Sequence, residues 1–240
     1  MKRSILVYSF LACFYSFAQI ENTPDSMEIQ KPVKGADVYS TEAFFLTNWS
    51  VTGRTLTENT GLFGDTLGVR ADETNLNKWS FGIGFRNRIT KNLAWEGGIS
   101  LLRNGESYSF EGTDTSYNYT TTYTYIGMPL KLDYVIGKKL QFIAAVGVIP
   151  QMFMSYRQVG TDVNSEDTET TFDIKTKSGY TPFVLSAVFN LGGQLRLSDQ
   201  VRFFFIPEYR MQLNSTYTDK SSFIHKGHAI GFNMGLSIGL

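Results

Sequence analysis

The fold is decided by one stretch of sequence, Tyr123-Thr-Tyr-Ile-Gly-Met-Pro-Leu-Lys-Leu-Asp-Tyr-Val-Ile-Gly-Lys-Lys-Leu-Gln-Phe-Ile-Ala-Ala-Val-Gly-Val148. Apolar side chains recur at every second position on both sides of a short Gly-Lys-Lys turn. Two residues per repeat is the period of a β-strand, so the stretch predicts a long antiparallel hairpin between Tyr123 and Arg157. Its apolar face comprises Ile126, Met128, Leu130, Leu132, Tyr134, Leu140, Phe142, Ala144, Val146 and Val148.

The composition is that of one all-β domain. The chain has 240 residues, of which 42% are hydrophobic and 15% aromatic. A single β-barrel of this length is common. The formal net charge is 0, which gives no reason to expect a nucleic-acid partner.

The first residues predict export. Lys2 and Arg3 precede an apolar run that ends in Ser16-Phe17-Ala18, so we predict a signal peptide over residues 1–18. The alternative is a lipoprotein signal cleaved before Cys13, the single cysteine. Residues 19–40 show no sustained period and are expected to form a flexible periplasmic leader. The barrel domain is predicted over residues 41–240.

Eight strand candidates follow the leader. Each shows apolar residues at alternate positions, least regularly in the first candidate, where Phe44 and Leu46 fall on the other parity. The set predicts an eight-stranded antiparallel up-and-down barrel. The hairpin supplies two of them. The other candidates run over about 42–55, 78–89, 93–110, 180–197, 201–217 and 227–240.

The predicted connections alternate in length. Short turns are expected at 90–92, 137–139 and 198–200, and longer polar loops at about 56–77, 111–118, 160–179 and 218–226. Short turns at one end and long loops at the other are typical of outer-membrane barrels.

The charged residues lie opposite the apolar face. In a membrane barrel that face lines the lumen, because a charge facing lipid is costly. The predicted lumen charge network comprises Arg86, Arg88, Glu96, Lys131, Asp133, Arg196, Arg202, Glu208 and Arg210. Arg103 breaks the pattern, so it lies either beyond the bilayer or past a bulge. A soluble lipocalin-like barrel would invert the faces, and periodicity alone does not separate the two.

Three features favour the membrane. The strands exceed the roughly 9–11 residues needed to cross. The charged face carries many glycines, which suits a crowded lumen. Aromatic residues near the strand ends of the apolar face predict an interface girdle. The predicted girdle comprises Trp49, Trp79, Trp95, Tyr134, Tyr156 and Tyr209.

The sequence also resembles a known family. The Phe-Ala-Gln signal end, the Tyr-Ile-Gly-Met-Pro-Leu-Lys-Leu-Asp-Tyr strand, the Gly-Lys-Lys turn and the Gly-rich last strand are similar to the PorT-like outer-membrane β-barrels of Bacteroidota. The resemblance covers about 42–240. It implies the outer membrane of a Gram-negative cell, the barrel-insertion machinery as a partner, and an accessory role in protein secretion. That machinery usually reads an aromatic C-terminal residue, whereas this chain ends in Leu240 after Phe232.

Candidate chemistry is sparse. The lumen charges are expected to form a structural salt-bridge network; an anion site, given the basic excess, and an open pore are the alternatives. His225 and His228 with Ser222 suggest a lipid hydrolase, but surface polar residues are the ordinary explanation, because the sequence places no acid partner beside them. Asp162 to Glu166 resembles a calcium loop, yet Asp167 stands where the turn needs Gly. We predict no catalytic residue, metal or cofactor.

Three functions therefore stay open. The first is a non-enzymatic barrel with a filled lumen that binds an unknown protein partner through its outer loops or leader, with outer-membrane lipid around it. The second is an enzyme that modifies outer-membrane lipid. The third is a barrel that binds or transports a small ligand.

Overall fold

The structure, a computed structural model, describes residues 41–58, 73–166 and 168–240. The predicted signal peptide and leader lie outside these residues. Within them no helix has the length and apolarity to cross a membrane. The described residues form ten strands: β1 (Thr41–Glu58), β2 (Glu73–Arg88), β3 (Leu93–Glu111), β4 (Ser116–Gly127), β5 (Leu130–Gly137), β6 (Leu140–Val163), β7 (Glu169–Thr176), β8 (Phe183–Arg196), β9 (Val201–Gln212) and β10 (Phe223–Gly239).

The sheet closes into a barrel whose wall has eight positions. Strands at neighbouring positions of the wall pair antiparallel, and β1 pairs with both β2 and β10, which closes the ring. The wall order is β1, β2, β3, β4 with β5, β6, β8, β9 and β10. The eight-stranded up-and-down barrel that the sequence predicts is therefore confirmed.

One wall position is shared by two strands, β4 and β5. Both pair with β3 on one side and β6 on the other, so together they make one crossing. Pro129 lies between them and has no N–H to donate to the ladder, which interrupts the strand there. The adjacent Met128 N–H still bonds to the Pro150 carbonyl at 2.9 Å.

The three predicted tight turns lie at one end of the barrel, the turn end. At the other end, the loop end, parts of the predicted polar loops are paired strand, while residues 59–72 of the first predicted loop lie outside the described residues. The segment predicted as a loop over 160–179 instead continues β6 to Val163 and adds β7, which pairs with β6. Likewise β3 continues to Glu111 and β4 begins already at Ser116, and the two strands stay paired up to these residues. Side chains such as Phe172 and Ile174 alternate here, and this alternation is the signal that the polar composition obscured.

The two faces of the wall differ in polarity, and the apolar face is the outer one, as the sequence predicts for a membrane barrel. Apolar side chains point outward and are exposed, and most charged side chains of the wall strands point inward and are buried. The inverted arrangement of a soluble barrel is not found in the described residues. We call the outward apolar residues the apolar belt; its representatives, one from each wall position, are Phe45, Ile83, Ile99, Leu132, Val146, Phe189, Phe205 and Leu236.

Glycines on the inner face make room for aromatic rings. The Phe44 ring lies over Gly84, where an added Cβ would come within 2.6 Å of the ring and 2.4 Å of the Gly97 carbonyl oxygen. The Phe204 ring lies over Gly235 in the same way. The glycines are therefore a packing requirement of a narrow lumen.

We expect Gly84→Ala to lower the free energy of unfolding by about 1–3 kcal/mol, because the new methyl group overpacks the interior. Gly193→Ala is the matched control, since its nearest neighbour would be the Gln141 carbonyl oxygen at 3.5 Å, an ordinary contact. Urea unfolding of both variants in lipid vesicles measures the difference. Equal midpoints would show that the ring and glycine do not pack as described.

Candidate functional site

A buried charge network fills the barrel near the turn end. Arg86 donates to Asp133 from Nε at 2.6 Å, to Glu96 from Nη2 at 2.7 Å and to Gln194 from Nη1 at 2.8 Å. Its Nη1 also lies 3.9 Å from a Glu42 carboxylate oxygen. One guanidinium thus holds groups from β1, β2, β3, β5 and β8 together.

Two more cations complete the network. Lys131 pairs with Glu96, and Arg202 pairs with Glu42. Gln194 and Ser237 donate to the other Glu42 oxygen at 2.9 and 3.0 Å. Arg86, Lys131 and Arg202 therefore face Glu42, Glu96 and Asp133, three charges of each sign. Buried charges are tolerable only when paired and hydrogen-bonded in this way.

Further along the lumen a second polar group surrounds Glu208. The Glu208 carboxylate accepts hydrogen bonds from Asn233 at 2.8 Å and from Arg210 at 3.3 Å. Arg210 also donates to Asn104 at 3.0 Å. The voids between these side chains and their neighbours measure only about 20 and 10 Å³, which is room for single waters.

The predicted lumen residues all lie on the inner face or at its turn-end mouth. Arg88 and Arg196 lie at that mouth, where Arg88 donates to the Lys91 carbonyl at 3.1 Å. Glu42 is not among the predicted lumen residues. Its side chain lies on the inner face of β1 together with Phe44 and Leu46, and because these two are apolar the alternation of the first strand does not mark Glu42 as a lumen charge. Glu42 reduces the basic excess that suggested an anion site.

The predicted girdle residues occupy two rows, with one exception. Trp95 and Tyr134 point outward near the turn end, and Trp49, Trp79 and Tyr209 point outward nearer the loop end. Tyr156 instead packs inside the barrel against Tyr123 and Tyr180, at ring distances of 5.5 and 5.2 Å.

A register shift explains the position of Tyr156. Tyr125 pairs with Phe153 while Thr124 pairs with Ser155, so Met154 is an extra residue in β6. Such a bulge exchanges the faces of every residue beyond it. Arg103 shows no such shift against β4, but it lies opposite a register shift in β2, between Asn75 and Phe81. It points outward beyond Leu101, where the belt ends.

A cup opens at the loop end of the barrel. It is a cavity of about 220 Å³ with aromatic walls and a polar floor. Its lining residues are Arg54, Leu56, Glu106, Tyr119, Thr121, Tyr123, Tyr156, Gln158, Tyr217 and Phe223. The cup lies beyond the belt, because the outward residues of β3 at its level are Gly105 and Ser107 rather than apolar ones.

Arg54 organises the floor of the cup. It pairs in bidentate fashion with Glu73, with Nε to Oε2 at 3.0 Å, and its Nη1 lies 3.6 Å from Glu106. Tyrosine hydroxyls complete the floor: Tyr123 donates to Glu106 at 3.2 Å and Tyr119 to Glu73 at 3.1 Å. Burial raises the pKa of Glu106 to about 7, so this carboxyl can donate as well as accept near neutral pH.

Aromatic rings continue outward from the cup on the same side of the extended sheet. Tyr108 stacks on Tyr119 at 5.1 Å, and Tyr117 stacks on Phe172 at 5.9 Å. Tyr117 and Tyr119 also touch, with ring centroids 5.6 Å apart. We call Tyr108, Tyr117, Tyr119 and Phe172 the aromatic face. It forms a continuous platform that leads into the cup.

His225 was expected at the surface, yet it is buried behind the cup. Its ring lies 4.7 Å from Tyr123 and 4.9 Å from Tyr217, and only 1% of the residue is exposed. Neither ring nitrogen has a hydrogen-bond partner among the described residues. His228 points to the opposite, outer face of β10, so the two histidines do not converge on one site.

The outer acidic segment is held by an ion pair rather than gathered around a cavity. Arg157 donates to both carboxylate oxygens of Asp173, at 3.0 and 2.7 Å, across the β6–β7 pair. This hydrogen bonding lowers the pKa of Asp173. Asp173 therefore has its partner in β6, and in the part of the chain that the structure describes no three acidic or histidine side chains gather to hold a metal ion.

One wall of the cup could have been found from the sequence. Tyr117, Tyr119, Thr121, Tyr123 and Tyr125 alternate at every second position of β4. Tyr117 falls in the predicted loop over 111–118, because polar serine, asparagine and threonine separate the aromatic residues. Their partner Arg54 lies in a strand that pairs with neither β4 nor β6, so the combination required the tertiary structure.

Comparison with known proteins gives distant likenesses only. No protein-family model matches the sequence, and no curated protein is significantly similar to it. Among solved structures, Ail of Yersinia pestis is similar at 12% identity and a TM-score of 0.36, over 82% of this chain and 99% of Ail. OprG of Pseudomonas aeruginosa is similar at 11% identity and a TM-score of 0.44, over 87% of this chain and 99% of OprG.

A neisserial protein gives a further match. Neisserial surface protein A is similar at 11% identity and a TM-score of 0.37, over 82% of this chain and 97% of that protein. Identities and scores this low tell nothing about a ligand or a role. The polarity of the barrel itself, apolar outside and charged inside, is the arrangement of outer-membrane barrels.

Proposed function

We propose that the protein is a closed outer-membrane barrel that does not conduct and that presents a binding site at its loop end. The observation that carries this proposal is the combination of an exposed apolar belt with an interior filled by paired charges. An exposed apolar surface that surrounds the whole barrel needs lipid or another apolar partner to cover it. In β9 the outward apolar run from Phe203 to Met211 matches the roughly 9–11 residues of a crossing strand.

The experiment that tests membrane insertion is heat modifiability. Outer-membrane fractions are run on a detergent gel, boiled and unboiled. We expect the unboiled protein to migrate differently, because a closed barrel resists detergent until it is heated. A protein found in the soluble fraction without a shift would contradict the proposal.

The same proposal predicts no ion flow. Purified barrels inserted in a planar lipid bilayer should give a flat current trace, since the Arg86 network and the Glu208 group leave only water-sized voids. The control is Arg86→Ala with Glu96→Ala and Asp133→Ala, which empties part of the lumen. Steady current through the unaltered protein would contradict the filled lumen and support the transport alternative.

We propose no enzymatic role. The two histidines that suggested a lipid hydrolase point to opposite faces of β10, and a nucleophile, base and orienting group must meet in space. An unchanged lipid profile in a strain that carries His225→Ala, His228→Ala and Ser222→Ala is expected. A changed profile, with the barrel still heat-modifiable, would restore the enzyme alternative.

The proposed partners are outer-membrane lipid at the belt, the barrel-insertion machinery, and a molecule that docks at the loop end. Nucleic acid is not among them. A PorT-like accessory role in secretion is the more specific version of this proposal, and the resemblance in the sequence is its support. It would require that deletion of the protein reduce the secretion of cargo proteins.

A further inference from the structure

The cup has the features of a site for a small ligand rather than a gap in packing. It is lined by tyrosines, one phenylalanine and a few convergent polar groups, the usual makeup of a ligand pocket. Its volume of about 220 Å³ is below the roughly 300–1,000 Å³ of sites for drug-sized ligands. It therefore holds one ring of a ligand, and the rest of the ligand must lie outside.

The charges of the cup are already matched. Arg54 is held by Glu73 and Glu106, so no free cation is left to bind an anion. The raised pKa of Glu106 leaves this carboxyl partly protonated near pH 7, which weakens the attraction for a cation. Neither charge sign is strongly favoured, and a neutral ligand fits best.

The polar groups of the cup include both donors and acceptors. Arg54 donates, Glu106 and the hydroxyl of Thr121 accept, and the Gln158 amide does both. A ligand ring that carries several hydroxyl groups matches this mixture, because each hydroxyl can both donate and accept a hydrogen bond. Aromatic walls add a surface on which the C–H face of that ring can stack.

The aromatic face indicates the nature of the part of the ligand that lies outside the cup. Tyr108, Tyr117 and Phe172 extend the row of rings outward from Tyr119. These rings stack on one another in pairs, and a row of such pairs beside the cup gives the successive units of a long ligand repeated apolar contacts. A chain of sugar rings has that form, whereas a single small molecule would use the cup alone.

We propose that the cup binds the terminal sugar of a neutral oligosaccharide and that the aromatic face carries the following sugar units. This inference rests on the proposed function, because it needs the loop end to be open to the medium around the cell. Binding depends on stacking and hydrogen bonds, so its affinity should change little with salt concentration.

The test uses the full-length barrel in lipid nanodiscs and an array of neutral hexose and N-acetylhexosamine oligosaccharides of two to six units, with sulfated and sialylated glycans beside them. We expect retention of at least one neutral series. Gln158→Trp should reduce that binding at least tenfold, because the larger side chain fills the cup. Val159→Trp is the matched control on the outer side of the same strand and should bind as the unaltered protein does.

A second variant tests the platform. Tyr117→Ala should weaken binding of the hexasaccharide several-fold and leave the disaccharide unchanged, because only the longer ligand reaches Tyr117. No retained glycan, equal binding by Gln158→Trp, or preference for the acidic glycans would each overturn the inference. Every sample is first checked for its heat-dependent mobility shift, so a folded barrel that binds no sugar contradicts only this inference, while a missing shift contradicts the proposed function.

Discussion

Replacing Arg86 with leucine should lower the free energy of unfolding by about 3–5 kcal/mol. The substitution removes a guanidinium that is 4% exposed and bonds to Asp133, Glu96 and Gln194. Asp133 would stay buried without an ion-pair partner among the described residues, and Glu96 would keep only Lys131. Breaking a buried pair from one side costs more than replacing the whole pair, because an uncompensated charge is left behind.

Urea unfolding in lipid vesicles, followed by tryptophan fluorescence, measures this effect. Arg157→Leu is the control, since Arg157 also binds a carboxylate in bidentate geometry but both partners are exposed. No measurable change is expected there, because water screens the pair. Equal effects of the two substitutions would show that the lumen is wet enough to solvate its own charges.

Adding Asp133→Leu and Glu96→Leu to Arg86→Leu sharpens the test. The triple variant removes two carboxylates along with the guanidinium, although it leaves Lys131 without Glu96. We expect it to recover part of the stability that the single variant loses. A triple variant that is less stable than the single one would mean that the unpaired Lys131 costs more than the removal of the two carboxylates gains.

Replacing Val146 with arginine should cost about 2–4 kcal/mol when the barrel is in lipid. Val146 is 51% exposed and pairs with Leu132 and Phe189, so it lies midway along the belt. An arginine there would face hydrocarbon. On a soluble barrel the same change at an exposed position would fall within about 0.5 kcal/mol.

The measurement is again urea unfolding in vesicles, with insertion into the outer membrane scored in cells. Val159→Arg is the matched control: it is the same exchange in the same strand at a similarly exposed position, but outside the belt. We expect Val159→Arg to insert and unfold normally. Equal tolerance of both arginines would argue against lipid around the barrel.

The sequence by itself determined the wall of the barrel. Alternation of period two does not depend on distant residues, so Leu130 to Tyr134 and Phe203 to Tyr209 were assigned to the correct faces from their spacing alone. The charged residues of the lumen followed from the same parity. The apolar residues on the inner face, such as Phe44, did not fit it, and the strand that holds Glu42 was the least regular for this reason.

Only the tertiary structure decided the pairing of charges, the face of Tyr156 and the cup. A single extra residue, Met154, reverses the faces beyond it, and no local pattern marks such a bulge. Arg54 meets Glu73, Glu106 and Tyr217 because closure of the ring brings the first three strands and the segment before β10 to the same cavity. The two-residue period of a strand determines to which face a side chain points. Its partner across the barrel depends on the register of the strands and on closure of the ring, and both are properties of the whole sheet.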